Sequence, residues 1–236
     1  MRLKHITFTG IDAKTDIKAL QEIQEQYPIA EFGVLTSYHW YENGNRYLDP
    51  QLLCNLHGTK LNLALHVCGH AAHDAVEGKW HMIRNHTLDY LWLFNRVQLN
   101  VANRTDNPRW ISSLRPHVEL IIQQRPDNTT LYEENKHLGD DDKIGGVSML
   151  LDASGGLGID TPIVLYPSND KIGYAGGINE GNVATKLDYL LRNVRTGDFW
   201  IDMESGVRTD DWFDLDKVQR VLAICNEVIK DLHMED

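Results

Sequence analysis

The chain has 236 residues, 42% of them hydrophobic, and 23 Lys and Arg against 34 Asp and Glu give a formal charge of −11. That deficit argues against non-specific nucleic-acid binding, which needs a basic face to release counterions, and against adhesion to anionic membranes. It leaves room for a small anionic ligand, because a few local amides and one arginine outweigh a distant charge screened by salt.

Taken in chain order, strand-like and helix-like patterns alternate. "LKHITFTG" (3–10) reads as a strand and 15–26 as a helix; "AEFGVL" (30–35) is a second strand. The aromatic stretch "SYHWYENG" (37–44) is expected to form a lid, since long loops at a working face often do. A helix over 49–57, a strand "LNLALHV" (61–67) and a helix over 81–95 follow, then a strand "RVQLNV" (96–101) and a helix over 107–115. "VELIIQ" (118–123) is the fifth strand, with a weaker helical pattern over 129–137. "VSMLLD" (147–152) is an apolar run suited to a strand buried on both faces. The sixth helical position, 160–166, is bracketed by Pro162 and Pro167. "KIGYAG" (171–176), a helix over 179–193, "FWIDME" (199–204) and a C-terminal helix capped by Asp214 or Asp216 complete the chain.

Strand then helix, about eight times in this length, predicts an α/β fold: a (β/α)8 TIM barrel, with residues 1–236 as a single domain. Cys54, Cys68 and Cys225 are too few and too irregular for a disulfide framework or a zinc ribbon. No segment approaches the ~20 apolar residues of a bilayer span, and the chain opens on strand-like alternation without a signal-peptide run. A cytoplasmic protein is the expectation.

In such barrels the working face is where the strands end. Gly176-Gly177 and Ser205-Gly206 follow the seventh and eighth strands, where backbone amides can cradle an anion; tight turns are the plainer alternative. Asp152 ends strand six before "ASGGLGIDT" and is either a general acid at the barrel mouth or a cap for that loop. Arg46, in "NRYLDP", can offer a planar fork to a ligand carboxylate or stay solvated. His66, Cys68 and His70 share a parity at the end of strand three. They read as packed side chains, as a source of a base, or with His73 as metal ligands, although no zinc spacing fits.

Taken in order, "LLDASGGLGIDT", "AGGINEGNV" and "IDMESGVR", with "NRYLDP" and "VQLN" upstream, resemble the phosphoribosylanthranilate isomerase family. The resemblance implies an Amadori rearrangement, in which an N-linked ribose phosphate opens and a proton leaves the sugar's second carbon. It implies a phosphate on Gly176, Gly177, Ser205 and Gly206, Asp152 as general acid, Arg46 against the anthranilate part, and no metal or organic cofactor. The partner implied is a phosphorylated small-molecule substrate. The pattern breaks where the family places its general-base cysteine, because "TFTG" puts Thr9 there. A threonine hydroxyl holds no appreciable anion near neutrality, which leaves Cys68 or a histidine on a neighbouring strand to supply the base. Asn100 stands where a histidine is usual, and Glu204 brings a negative charge into the phosphate loop with Arg208 near enough to offset it. Three outcomes remain open: an isomerase of phosphorylated sugars, a paralogue with another reaction on a phosphorylated molecule, and a ligand-binding barrel without catalysis.

Overall fold

A computed structural model describes residues 2–38, 44–76, 88–101, 118–137 and 145–235. Eight strands, β1 (Arg2–Thr9), β2 (Ala30–Thr36), β3 (Leu63–Val67), β4 (Arg96–Leu99), β5 (Glu119–Gln124), β6 (Val147–Asp152), β7 (Ile172–Ala175) and β8 (Asp198–Met203), pair in sequence order. All pairs are parallel, and β8 returns to β1 to close a barrel. The alternating pattern therefore yields the (β/α)8 barrel that the sequence predicts.

Strand periodicity divides the side chains between two cores. Phe8, Phe32, Leu65, Val97, Leu120, Met149, Tyr174 and Phe199 belong to the large apolar cluster that the helices cover. The inward set at the amino ends of the strands carries charge instead of the branched aliphatics usual in such barrels. Arg96 Nη1 donates to Glu31 Oε1 (2.7 Å), and Lys171 Nζ donates to Glu119 Oε2 (2.7 Å). Thr7 Oγ1 adds a bond to Glu31 Oε1, while the Arg96 guanidinium lies 4.2 Å from the Trp200 ring centroid. Gly173 makes room for that indole, since a β-carbon there would lie 2.2 Å from Trp200 Cε2.

Helices α1 (Ile17–Gln26), α2 (Gly69–Val76), α3 (Thr130–Asn135), α4 (Val183–Asn193) and α5 (Leu215–Glu235) pack outside. Asp16 caps α1 by accepting from the Lys18 and Ala19 amides, and Asp214 caps α5 through the Lys217 amide. Several sequence expectations need correction. Residues 49–57 give a 3-10 helix over Pro50–Leu56. The crossover after β3 starts with α2, which the sequence reading missed; its 81–95 pattern is 3-10 over Leu88–Leu93, and 81–87 lie outside the described residues. The pattern over 160–166 forms no helix, because each proline turns the residue before it, Thr161 or Tyr166, away from the helical region of a short segment. The helix expected at 107–115, and residues 39–43 of the expected lid, also lie outside the described residues.

Candidate active site

At the carboxyl ends of the strands a cavity of about 390 Å³ opens, lined by residues from all eight. Thr9, Arg46, Cys68, Asn100, Asp152, Gly176, Gly177, Ser205 and Gly206, the nine positions singled out from sequence, all line it. His70 instead sits exposed on α2.

Two glycine turns meet on one side of this cavity. A β-carbon at Gly206 would lie 2.1 Å from the Ile178 carbonyl oxygen, and one at Gly177 would lie 2.3 Å from the Asp160 amide nitrogen. Gly176 and Gly177 also hold φ of 122° and 61°, which side chains other than glycine adopt at a cost. The Gly177 carbonyl accepts from the side-chain amides of Asn179 and Asn182 at the start of α4. Because the peptide is planar and trans, the Ile178 N–H points the opposite way. Among the described residues neither the Gly177 nor the Ile178 amide has a backbone acceptor.

Asp152 is fully engaged by its own surroundings. Its Oδ1 accepts from the Ser154 amide (2.9 Å) and hydroxyl (2.7 Å), and its Oδ2 accepts from Gln123 Nε2 (2.8 Å) and the Gly156 amide. These bonds fold the glycine-rich loop over the carboxylate.

Across the barrel, Thr9 Oγ1 donates to Asp202 Oδ1 at 2.9 Å, with both side chains buried. Among the described residues no group donates to Asp202 Oδ2. Burial pushes the Asp202 carboxyl up to about 7; Glu31 and Glu204 add to the rise, while the Thr9 hydrogen bond and Arg96 oppose it. The sequence pattern "FWIDME" (199–204) contains Asp202 and by itself gives it no role. The alternation of "FWIDME" was the available signal, since it turns Trp200, Asp202 and Glu204 to the same face.

The third wall is a polar chain along β3 and β4. Gln98 Nε2 donates to His66 Nδ1 (3.1 Å) and Asn100 Oδ1 (2.9 Å), and Asn100 Nδ2 donates to Cys68 Sγ (3.0 Å). This assigns the imidazole proton to Nε2, and among the described residues both His66 Nε2 and Gln98 Oε1 are buried without a partner. Burial pushes His66 down to about 3, with Arg96 adding to the fall, and pushes the Cys68 thiol up to about 12. Both side chains are therefore neutral at ordinary pH.

Arg46 spends its fork inside the protein, on Glu204 Oε1 and Asp211 Oδ1, each at 2.8 Å. Burial and Asp211 raise the Glu204 carboxyl, and Arg46 lowers it, with burial the largest effect and the net shift upward. Arg208 bonds the Gly10 carbonyl (2.6 Å) and Asp12 (3.1 Å), tying the hairpin Arg208–Phe213 to the end of β1. Glu204 is thus paired chiefly by Arg46. Among the described residues no three His, Cys, Asp or Glu side chains gather as a metal site requires.

Fold and cavity together define the class: a closed (β/α)8 barrel with a polar pocket at the carboxyl ends of its strands. Among its solved likenesses are phosphoribosylanthranilate isomerases. The one from Thermococcus kodakaraensis superposes with a TM-score of 0.54 at 14% identity, over 94% of this chain and 98% of its own. Another, solved with reduced 1-(o-carboxyphenylamino)-1-deoxyribulose 5-phosphate, superposes with a TM-score of 0.57 at 17% identity, over 95% of this chain and 100% of its own. Identities this low establish the fold and nothing finer. No protein-family model and no curated protein sequence matches the chain. Among the described residues no helix is long and apolar enough to cross a membrane.

Proposed function

We propose that this barrel is an isomerase of a phosphorylated sugar derivative, acting by an Amadori-type aldose–ketose rearrangement. The observation that carries the proposal is the meeting of the two glycine turns at the edge of the cavity, with the Gly177 and Ile178 amides without a backbone acceptor among the described residues. Such amides hold a phosphate through hydrogen bonds to ionised oxygens, the stronger kind. Gly176, Gly177, Ser205 and Gly206 would take the phosphate. The orphaned His66 Nε2–H and Gln98 Oε1, a donor and an acceptor on the opposite wall, would suit sugar hydroxyls. Asp152 would protonate the ring oxygen by analogy with the resembling family, and Arg46 would face the amine part. The reaction needs no cofactor.

One observation favours a second reading, a barrel that binds such a ligand without turning it over. Both oxygens of Asp152 accept two hydrogen bonds each, a set of contacts that suits a cap for its own loop as well as an acid. Calorimetric titration with ribose 5-phosphate and with ribose tests the phosphate site. Binding that depends on the phosphate supports it, and equal or absent binding of the two overturns it. Loss of N-(5'-phosphoribosyl)anthranilate fluorescence then separates an enzyme from a binder.

A further inference from the structure

We propose that Asp202 is the general base of this barrel, taking the proton from the sugar's second carbon on Oδ2 while Thr9 fixes the carboxylate through Oδ1. The inference rests on the phosphosugar isomerase reading above and goes beyond it by naming the group that takes the proton.

Geometry selects Asp202. Thr9 ends β1 at the cavity, and its hydroxyl proton is committed to Asp202 Oδ1, so the nearest acceptor of a proton is the carboxylate behind it. Asp202 lines the cavity, and among the described residues its Oδ2 receives no hydrogen bond. Asp152 offers no such oxygen. Gly33 is shaped for this pair, because a β-carbon there would lie 2.6 Å from Thr9 Oγ1.

The charged surroundings support the assignment. Glu31 on β2 and Glu204, just past the end of β8, raise its proton affinity, and Arg96 on β4 lowers it. His66 on β3, neutral through burial, and Asp152 on β6 face the same cavity. Burial outweighs these neighbouring charges and brings the carboxyl to about 7, where a base is both free and strong enough near neutral pH. Cys68, pushed to about 12, and His66, pushed to about 3, do not meet both conditions.

The proton balance closes within two carboxyls. Asp152 gives its proton to the ring oxygen, the C1–O bond breaks, and the amine nitrogen forms a C1=N⁺ iminium. Asp202 removes the C2 proton, and that electron pair becomes the C1=C2 bond while the iminium pair returns to nitrogen. The C2 hydroxyl then loses its proton to Asp152 as C2=O forms. The C1=C2 pair takes the proton back from Asp202 at C1. Both carboxyls end as they began, and no oxidant or reductant is consumed.

The test uses the full chain, N-(5'-phosphoribosyl)anthranilate and ribose 5-phosphate. Wild type and Asp202→Asn are compared for binding, for turnover, and for deuterium exchange at the sugar's second carbon in heavy water. The expected result is affinity for ribose 5-phosphate within threefold of wild type, with turnover and exchange down by about 10²–10⁴. A loss under tenfold, or a wild type that binds but neither exchanges nor turns over, overturns the base assignment and leaves phosphosugar binding standing. A wild type that binds no ribose 5-phosphate removes the underlying reading, and this proposal with it. Thr9→Val keeps the fold's volume and removes the bond that favours the anion. It shifts the acidic limb of the kcat profile to higher pH, and an unmoved limb counts against Asp202.

Discussion

Gly206 lies so close beneath Ile178 that a β-carbon on the glycine would stand 2.1 Å from the isoleucine carbonyl oxygen. This contact joins the turn after β8 to the turn after β7. Gly206→Ala forces the two turns apart. It should weaken ribose 5-phosphate binding at least tenfold by calorimetry, while the far-ultraviolet circular dichroism stays that of the wild type.

Asp202 makes an opposite trade between stability and function. A carboxyl raised from 3.8 to about 7 by folding binds protons more readily in the native state, so its contribution declines as pH rises from about 4 to 7. Above that range the native protein carries a buried anion. Asp202→Asn removes that cost and should stabilise the chain at pH 8 by on the order of 2–4 kcal/mol, with the gain vanishing near pH 4. Urea unfolding of both proteins at the two pH values checks the sign.

His5 works in the other direction. Burial holds it down at about 4, opposed by Glu31, so the unfolded chain binds the extra proton first as pH falls. Stability from this group is complete above about 6.5 and drains away between there and about 4. His66, held near 3, extends the loss further down. His5→Gln should flatten the fall in melting temperature between pH 6.5 and 4.

The charged floor of the barrel predicts a larger effect. Arg96 and Glu31 are both almost fully buried and 2.7 Å apart. Glu31→Gln leaves the buried guanidinium with only Glu119, 3.4 Å away, as counter-ion and should cost about 3 kcal/mol, measured as a change in urea midpoint. Replacing the pair together with apolar residues of matching volume should recover much of that loss.

What the sequence disclosed follows physical signal strength. Each strand was legible because an apolar or alternating run stood between turn residues, and β6 and β8 matched their expected positions within a residue. The crossovers were harder. A helix such as α2, "GHAAHDAV", presents mostly alanines on its buried side and starts on a glycine, so its periodicity is faint beside the stronger pattern further on. The 160–166 segment offered a run of apolar residues, but its flanking prolines turn Thr161 and Tyr166 away from helical backbone.

The site was legible in its glycines and in Asp152, whose residue types are dictated by backbone geometry local to one loop. Thr9 was visible only as a departure. Its partner lies 193 positions away, and the hydrogen bond to Asp202 exists only because β8 closes against β1. The engagement of Arg46 by Glu204 and Asp211 likewise joins residues 158 and 165 positions apart. Such pairings depend on barrel closure, which no local pattern records.

The most direct measurement is a crystal structure of the chain soaked in ribose 5-phosphate. The phosphosugar assignment predicts phosphate density within hydrogen-bonding distance of the Gly177, Ile178 and Gly206 amides, with the sugar reaching towards Asp202. Density confined to lysines and arginines outside the barrel mouth, or a pocket left empty at saturating ligand, would contradict it.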